Sequence, residues 1–159
     1  MSRVLFMCGP AGSGKSTIAR RFESEGMVRL SFDVEAWRRG IRSMPLAPDV
    51  HAEIESELQS RLQRAIEQGR DVVLDFSFWS RQDRDRYRAL VRSEGIEPET
   101  VYVAAPRDVV VRRVLARGAE HADDFPLDEA LAGAYFDAFE PPTADEGPLT
   151  VVSPDDDRR

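Results

Sequence analysis

Unbroken apolar runs and stretches of helical spacing alternate along this chain, and they mark its elements. Val4-Leu5-Phe6-Met7-Cys8 is an unbroken apolar run ending at Gly9, the pattern of a strand buried on both faces of a parallel sheet. From Ser16 to Glu25 the spacing becomes helical, with Ile18, Ala19 and Phe22 on one face and Gly26 as the stop. Val28 to Phe32 reads as a second strand, running into Asp33. The clearest helix spans about Asp49 to Gln68, where Val50, Ile54, Leu58, Leu62 and Ile66 recur every four residues before Gly69. Asp71 to Asp75 is a third strand. Ser80 to Glu94 is an Arg-rich helix, with Ser80 as N-cap and Gly95 as stop. Thr100 to Ala104 is a fourth strand, followed by a helix from Pro106 to about Arg117. A polar loop (Gly118 to Pro126), a helix (Leu127 to Phe139), a proline-containing loop (Glu140 to Pro148) and a short strand (Leu149 to Val152) complete the pattern.

Strands alternating with helices across short connections predict an α/β domain built on a parallel sheet. The expectation is one domain over residues 1–153, with a short lid at about 117–127 and a frayed tail over 154–159. A chain of 159 residues can bury its own core without disulfide or metal staples. The single cysteine, Cys8, reads as a small buried strand residue. No apolar run approaches the roughly 20 residues of a membrane span, and the first residues lack the pattern of a secretory leader. No membrane association is therefore expected, and a cytoplasmic protein is. The net charge of −7 argues against broad binding to nucleic acid or anionic lipid, while leaving room for a local basic cleft.

Of the 22 basic residues 21 are Arg, and the one lysine, Lys15, falls in a motif. Gly9-Pro10-Ala11-Gly12-Ser13-Gly14-Lys15-Ser16-Thr17 matches G-x-x-x-x-G-K-[ST] at every fixed position. Glycines let the backbone wrap closely so that its N–H groups face phosphate oxygens. The helix that follows adds its positive end. In such a loop Lys15 reaches the β- and γ-phosphates and the Ser16 hydroxyl ligates Mg²⁺. Gly9, Ala11, Gly12, Ser13, Gly14, Lys15, Ser16 and Thr17 are thus the candidate nucleotide-binding residues. An apolar strand enters the loop and an amphipathic segment leaves it, the context the motif requires. Asp75 ends the apolar run Val72-Val73-Leu74. A carboxylate there needs a partner, either an Arg or, as favoured here, Mg²⁺.

The lone lysine leaves no Asn-Lys-x-Asp motif of a guanine-selective GTPase, and no Leu-Ser-Gly-Gly-Gln signature is present. The phosphate loop, Ser31-Phe32-Asp33, the stretch Val72 to Arg81 and the Arg-rich helix before the lid resemble the AAA_33-type P-loop kinase-like family. Its relatives include chloramphenicol phosphotransferase, zeta toxins and the kinase domain of polynucleotide kinases. The resemblance extends to Phe139-Glu140-Pro141-Pro142 and implies a three-layer P-loop NTPase fold of the nucleoside- and metabolite-kinase type, with a five-stranded parallel sheet. It implies Asp33 as the carboxylate that prepares an acceptor hydroxyl, and Arg113 and Arg117 as lid cations acting on the transferring phosphate. Arg112 and Pro141 are implied near the nucleotide, and Arg38, Asp75, Arg81 and Arg84 on the acceptor side. Several relatives carry Asp-x-x-Arg, but here Ala36 stands at the Arg position, and Arg38 or Arg39 is left to substitute. The rest of the Arg-rich helix Ser80 to Arg88 reads as a solvated face of paired charges. His51 and His121 have no metal-ligand spacing and read as solvated. Trp37, Phe78 and Trp79 read either as acceptor-pocket walls or as core.

Together these readings predict an ATP- and Mg²⁺-dependent phosphotransferase acting on a small hydroxyl-bearing substrate, as a monomer or homodimer. Nucleic acid is not an expected partner. The alternatives are a nucleic-acid 5′-hydroxyl kinase and a nucleotide-binding regulatory module with weak ATPase activity.

Overall fold

The computed structural model describes residues 2–42, 46–116 and 128–153. The expectations for Arg117, His121, the lid at 117–127 and the tail at 154–159 lie outside the described residues. Five strands form one parallel sheet: β1 (Val4–Cys8), β2 (Val28–Ser31), β3 (Val72–Ser77), β4 (Glu99–Val103) and β5 (Leu149–Val152). Their spatial order is β2-β3-β1-β4-β5, so the strand entering the phosphate loop lies between the strand carrying Asp75 and β4.

The period of two in β1 sorts its side chains between two cores. Val4, Phe6 and Cys8 face one layer with Leu30, Val72 and Leu74. Against them pack Ala36 of α2 (Phe32–Arg38), Ile54, Leu58 and Leu62 of α3 (Pro48–Glu67), and Tyr87 and Val91 of α4 (Arg81–Arg92). Leu5 and Met7 face the other layer with Val73, Val101 and Val103, covered by Ile18 and Ala19 of α1 (Lys15–Ser24). Two further helices, α5 (Arg107–Ala116) and α6 (Glu129–Ala138), follow β4. The fold is the expected three-layer α/β architecture, and Cys8 is buried as expected. Burial, the largest influence, pushes its thiol pKa up to about 12.

Two local differences from the sequence pattern matter for the site. The second strand stops at Ser31, and a helix absent from the pattern, α2, begins at once. The Ser31 hydroxyl accepts from the Val34 N–H at 3.2 Å, and Asp33 and Glu35 lie in the first turn, where the helix dipole favours acids. Asp33 is therefore a first-turn helical residue and not a strand end. The third strand runs on to Ser77, which puts Asp75 inside the sheet, paired with Ser31 on β2. Among the described residues, no helix is long and apolar enough to cross a membrane.

Candidate functional site: the phosphate loop and the pocket beside it

The backbone between β1 and α1 makes turns that only glycine adopts easily. Gly12 and Gly14 have φ of 85° and 98°. A Cβ on Gly12 would lie 2.7 Å from the Val110 carbonyl oxygen, so the loop also needs glycine there to pack on α5. Gly14 is the N-cap of α1 and brings no side-chain cap, and the first turn contains no acidic residue. The contrast with α2, α4 and α6 is direct: in those, Ser31, Ser80 and Asp128 each accept from a first-turn N–H. First-turn donors have no acceptor within their own helix. In α1 they are left for an anion, which the helix dipole also favours. Ser13 Oγ is buried without a hydrogen-bond partner inside this loop.

Beneath the loop, three side chains converge on Asp75. Ser16 Oγ donates to Oδ2 at 2.9 Å, Lys15 Nζ donates to Oδ1 at 3.4 Å, and Arg29 Nη2 donates to Oδ2 at 2.7 Å. Burial alone would raise the Asp75 pKa. The charges of Lys15 and Arg29, with the hydrogen bonds from Arg29 and Ser16, outweigh it and hold the carboxylate below its ordinary range. Asp75 thus has the arginine partner that sequence reasoning set against a metal. The two are compatible, because Arg29 orients the same oxygen that Ser16 holds. A hydroxyl and a carboxylate oxygen side by side form the donor pair Mg²⁺ uses when phosphates and water complete its shell. Ser16 and Asp75 therefore fit that ion. Among the described residues, no cluster of three or more His, Cys, Asp or Glu side chains could hold a metal alone.

A pocket of about 400 Å³ opens beside the loop. Of the sequence candidates, Ala11, Gly12, Gly14, Lys15, Ser16, Thr17 and Asp33 line it, while Gly9 and Ser13 are buried in the loop itself. Its floor is the segment after Asp75. Ser77 and Phe78 have φ of 68° and 49°, the only non-glycine positive values among the described residues, a conformation that must be enforced by its surroundings. Two contacts enforce it: the Gly9 N–H donates to the Ser77 carbonyl at 3.0 Å, and Arg84 Nη1 donates to the Phe78 carbonyl at 2.7 Å.

Arg84 is consequently not the acceptor contact that the resemblance implied. Its side chain is fully buried and forks onto Glu146 through Nε at 2.8 Å and Nη2 at 3.3 Å. Arg88, expected on a solvated face, is also buried, between Glu146 and Thr100. Burial would raise the Glu146 pKa, but Arg84, the Thr143 N–H and Arg88 bring it down to about 2. Nor does Asp75 line the pocket as a substrate contact; it lies behind Lys15 and Ser16, which do line it. Arg81 pairs with Asp145 at 2.9 Å, Arg38 with Glu35 at 3.3 Å and Arg112 with Asp108 at 3.8 Å, all outside the pocket walls. Arg113 is half-buried on α5 and Pro141 is exposed, and neither lines the pocket.

Sequence reasoning missed Arg29, whose position opposite Val73 on β2 follows only from strand order. It also missed Phe32, Phe76, Tyr87 and Tyr135, which line the pocket from four different elements. His51, expected in solvent, stacks on Phe32 with ring centroids 4.8 Å apart and lines the pocket. Phe78 and Trp79 line it too, whereas Trp37 lies under Arg42 at 3.7 Å and outside the lining.

Fold and loop together define a nucleotide-binding P-loop domain of the kinase-like class. The chain belongs to the AAA_33 family, an AAA domain, whose match covers residues 4–142. No curated protein matches the sequence. Among solved structures it is similar to a gluconokinase from Sinorhizobium meliloti 1021, with 20% identity, TM-score 0.65 and coverage of 95% of this chain and 82% of that one. A sugar kinase from Janibacter sp. HTCC2649 gives 20% identity, TM-score 0.66 and coverage of 98% and 87%. A chain of the Pnkp1/Rnl/Hen1 RNA repair complex gives 16% identity and TM-score 0.73, covering 86% of this chain and 43% of its own.

Proposed function

We propose that this protein is a phosphotransferase that moves the γ-phosphoryl group of ATP to a hydroxyl of a small acceptor. One observation carries the reading: a single pocket is lined both by the phosphate loop and by Asp33. In open parallel sheets, ligands bind beyond the carboxyl ends of the strands, and the phosphate loop and Asp33 follow the ends of β1 and β2.

Each residue has a task that follows from its chemistry. The α1 first-turn N–H groups and Lys15 hold the phosphates. Ser16 and Asp75 would hold Mg²⁺, which when bound offsets charge on the β- and γ-phosphate oxygens. Asp33 accepts the proton of the acceptor hydroxyl as its oxygen forms a bond to the γ-phosphorus. The bond from that phosphorus to the β–γ bridging oxygen breaks, and ADP leaves with the electron pair. Arg113 and Arg117 are the lid cations that the family resemblance implies for the transferring phosphate. A nucleic-acid acceptor fits less well, because Ala36 replaces the expected arginine and Arg38 is engaged with Glu35.

The test is ADP release from Mg·ATP against a panel of small alcohols, with Asp33→Asn alongside. An acceptor that raises turnover above the water rate should lose about 10²–10⁴ of that rate in the variant, with ATP affinity kept. Equal rates in both proteins would remove Asp33 from the chemistry. ATP binding with no acceptor effect anywhere in the panel would favour a regulatory module.

A further inference from the structure

The walls of the pocket away from the phosphate loop are mostly rings. Phe32 and His51 stack at 18° between planes, Phe76 meets Phe32 edge-on at 4.8 Å, and Trp79 meets Tyr135 at 5.2 Å. His51 and Trp79 keep much of their surface exposed. The polar groups among these rings are few and partly committed. Glu55 Oε1 accepts from Tyr87 Oη at 2.9 Å and pairs with Arg86 at 2.7 Å, and Arg86 also pairs with Asp83 at 3.6 Å. Among the described lining residues the carboxylates are Asp33, Glu55 and Asp83, and the cations apart from Lys15 are Arg20 and Arg86.

From this lining we infer that the acceptor is an alcohol carrying a flat ring, the chemistry shared by nucleosides and aryl alcohols. The inference rests on the phosphotransferase reading above. A planar ring matches aromatic walls by stacking and edge-on contact. A polyol of similar size would set several of its hydroxyls against the ring carbons of Phe32, Phe76, Phe78 and Trp79, which offer them no hydrogen-bond partner. The pocket, about 400 Å³ in all, is shared with the phosphate loop, so the acceptor is confined to a small ring system with a short polar arm toward Asp33.

The experiment uses the full chain and four probes: thymidine, 4-nitrobenzyl alcohol, glucose and gluconate. Each is measured by ADP release with Mg·ATP and, without nucleotide, by quenching of Trp79 fluorescence in a Trp37→Phe background, since the chain has only these two tryptophans. The expected result is binding and turnover with thymidine or the aryl alcohol, the better arm identifying which kind of ring is accepted. Trp79→Ala should then raise KM for that probe about tenfold with little change in kcat, and Trp79→Phe should restore it. Turnover of glucose or gluconate without binding of either ring compound overturns the ring-bearing class and leaves the phosphotransferase reading intact. Quenching by a ring compound with no ADP release from any probe upholds the ligand class and counts against phosphoryl transfer. Failure of both ring compounds to quench or to turn over overturns the inference.

Discussion

Two buried clusters in this protein share one pattern of charge and differ in what they leave open to a ligand. Each holds one carboxylate between two cations: Asp75 with Lys15 and Arg29, and Glu146 with Arg84 and Arg88. The first opens on the pocket through Lys15 and Ser16. Lys15 is only loosely held there, 3.4 Å from Asp75, with two ammonium protons to spare for phosphate. The second is sealed, with Arg84, Arg88 and Glu146 side chains each at most 3% exposed. Arg84 spends its donors on both Glu146 oxygens and the Phe78 carbonyl, and Glu146 also takes the Thr143 N–H at 2.7 Å. Burial and charge are therefore not what mark a reactive site. The difference is whether donors are left over on a face that a ligand can reach.

The sealed cluster should give the largest effect on folding when it is cut. Arg84→Met leaves Glu146 short of a partner and the Phe78 carbonyl with only the weak Cys8 thiol donor, which should cost about 3–5 kcal/mol. At this chain length that corresponds to a fall in Tm of roughly 6–20 °C, read by a thermal melt. ATP should still raise the Tm of the variant. Loss of that nucleotide effect would mean the two clusters act as one unit.

The open cluster should respond in the opposite way. Lys15→Met removes a cation aimed at the phosphates, so kcat should fall by about 10²–10³. Because Arg29 still holds Asp75 at 2.7 Å, Tm should move by no more than a few degrees. Steady-state ADP release and a melt on the same preparation separate the two quantities. A collapse in Tm comparable with that of Arg84→Met would erase the proposed distinction.

This contrast also explains what the sequence made legible. The phosphate loop, the unbroken apolar run of β1 and the four-residue repeat of α3 are local patterns, and each appears where the sequence places it. Ser80 caps α4 as its position before the helix implied. The Arg-rich stretch was misleading because a run of mixed charges looks the same whether it faces water or Glu146. That partner lies 62 residues from Arg84 and becomes adjacent only when the loop after α6 folds over α4. Arg29 was hidden for the same reason, being 46 residues from Asp75 and joined to it by strand order alone. Pocket walls assembled from α2, α3, β3, α4 and α6 have no single-sequence signature.

Acid should weaken the sealed cluster in a defined window. Glu146 has a folded pKa of about 2 against an ordinary 4.5, so its contribution is fully present above 4.5. That contribution is lost as pH falls from 4.5 toward 2, and its size is on the order of a few kcal/mol. Asp75 is shifted in the same direction. The stability gap between the native protein and Glu146→Gln, from denaturant melts, should therefore be widest near neutrality and narrow below pH 4.5. A gap that stays constant to pH 2 would mean that Glu146 is not ionised by its arginines as the geometry implies.

The smallest effect concerns helix ends. In α4 the Ser80 hydroxyl accepts from the Asp83 N–H at 3.1 Å, so that end is capped by its own sequence. Ser80→Ala should cost about 1 kcal/mol and leave the ATP affinity unchanged. In α1, Gly14 offers no side chain, and the phosphates of a nucleotide would be the cap. Hydrogen exchange then distinguishes the two: ATP should slow the amides of Lys15, Ser16 and Thr17 markedly and leave the first turn of α4 as it was. Ser80→Ala should quicken the Asp83 amide whether or not ATP is bound. Equal protection of both helix starts by ATP would show general tightening of the fold, and α1 would lose its claim to be the end that sequence left open for a ligand.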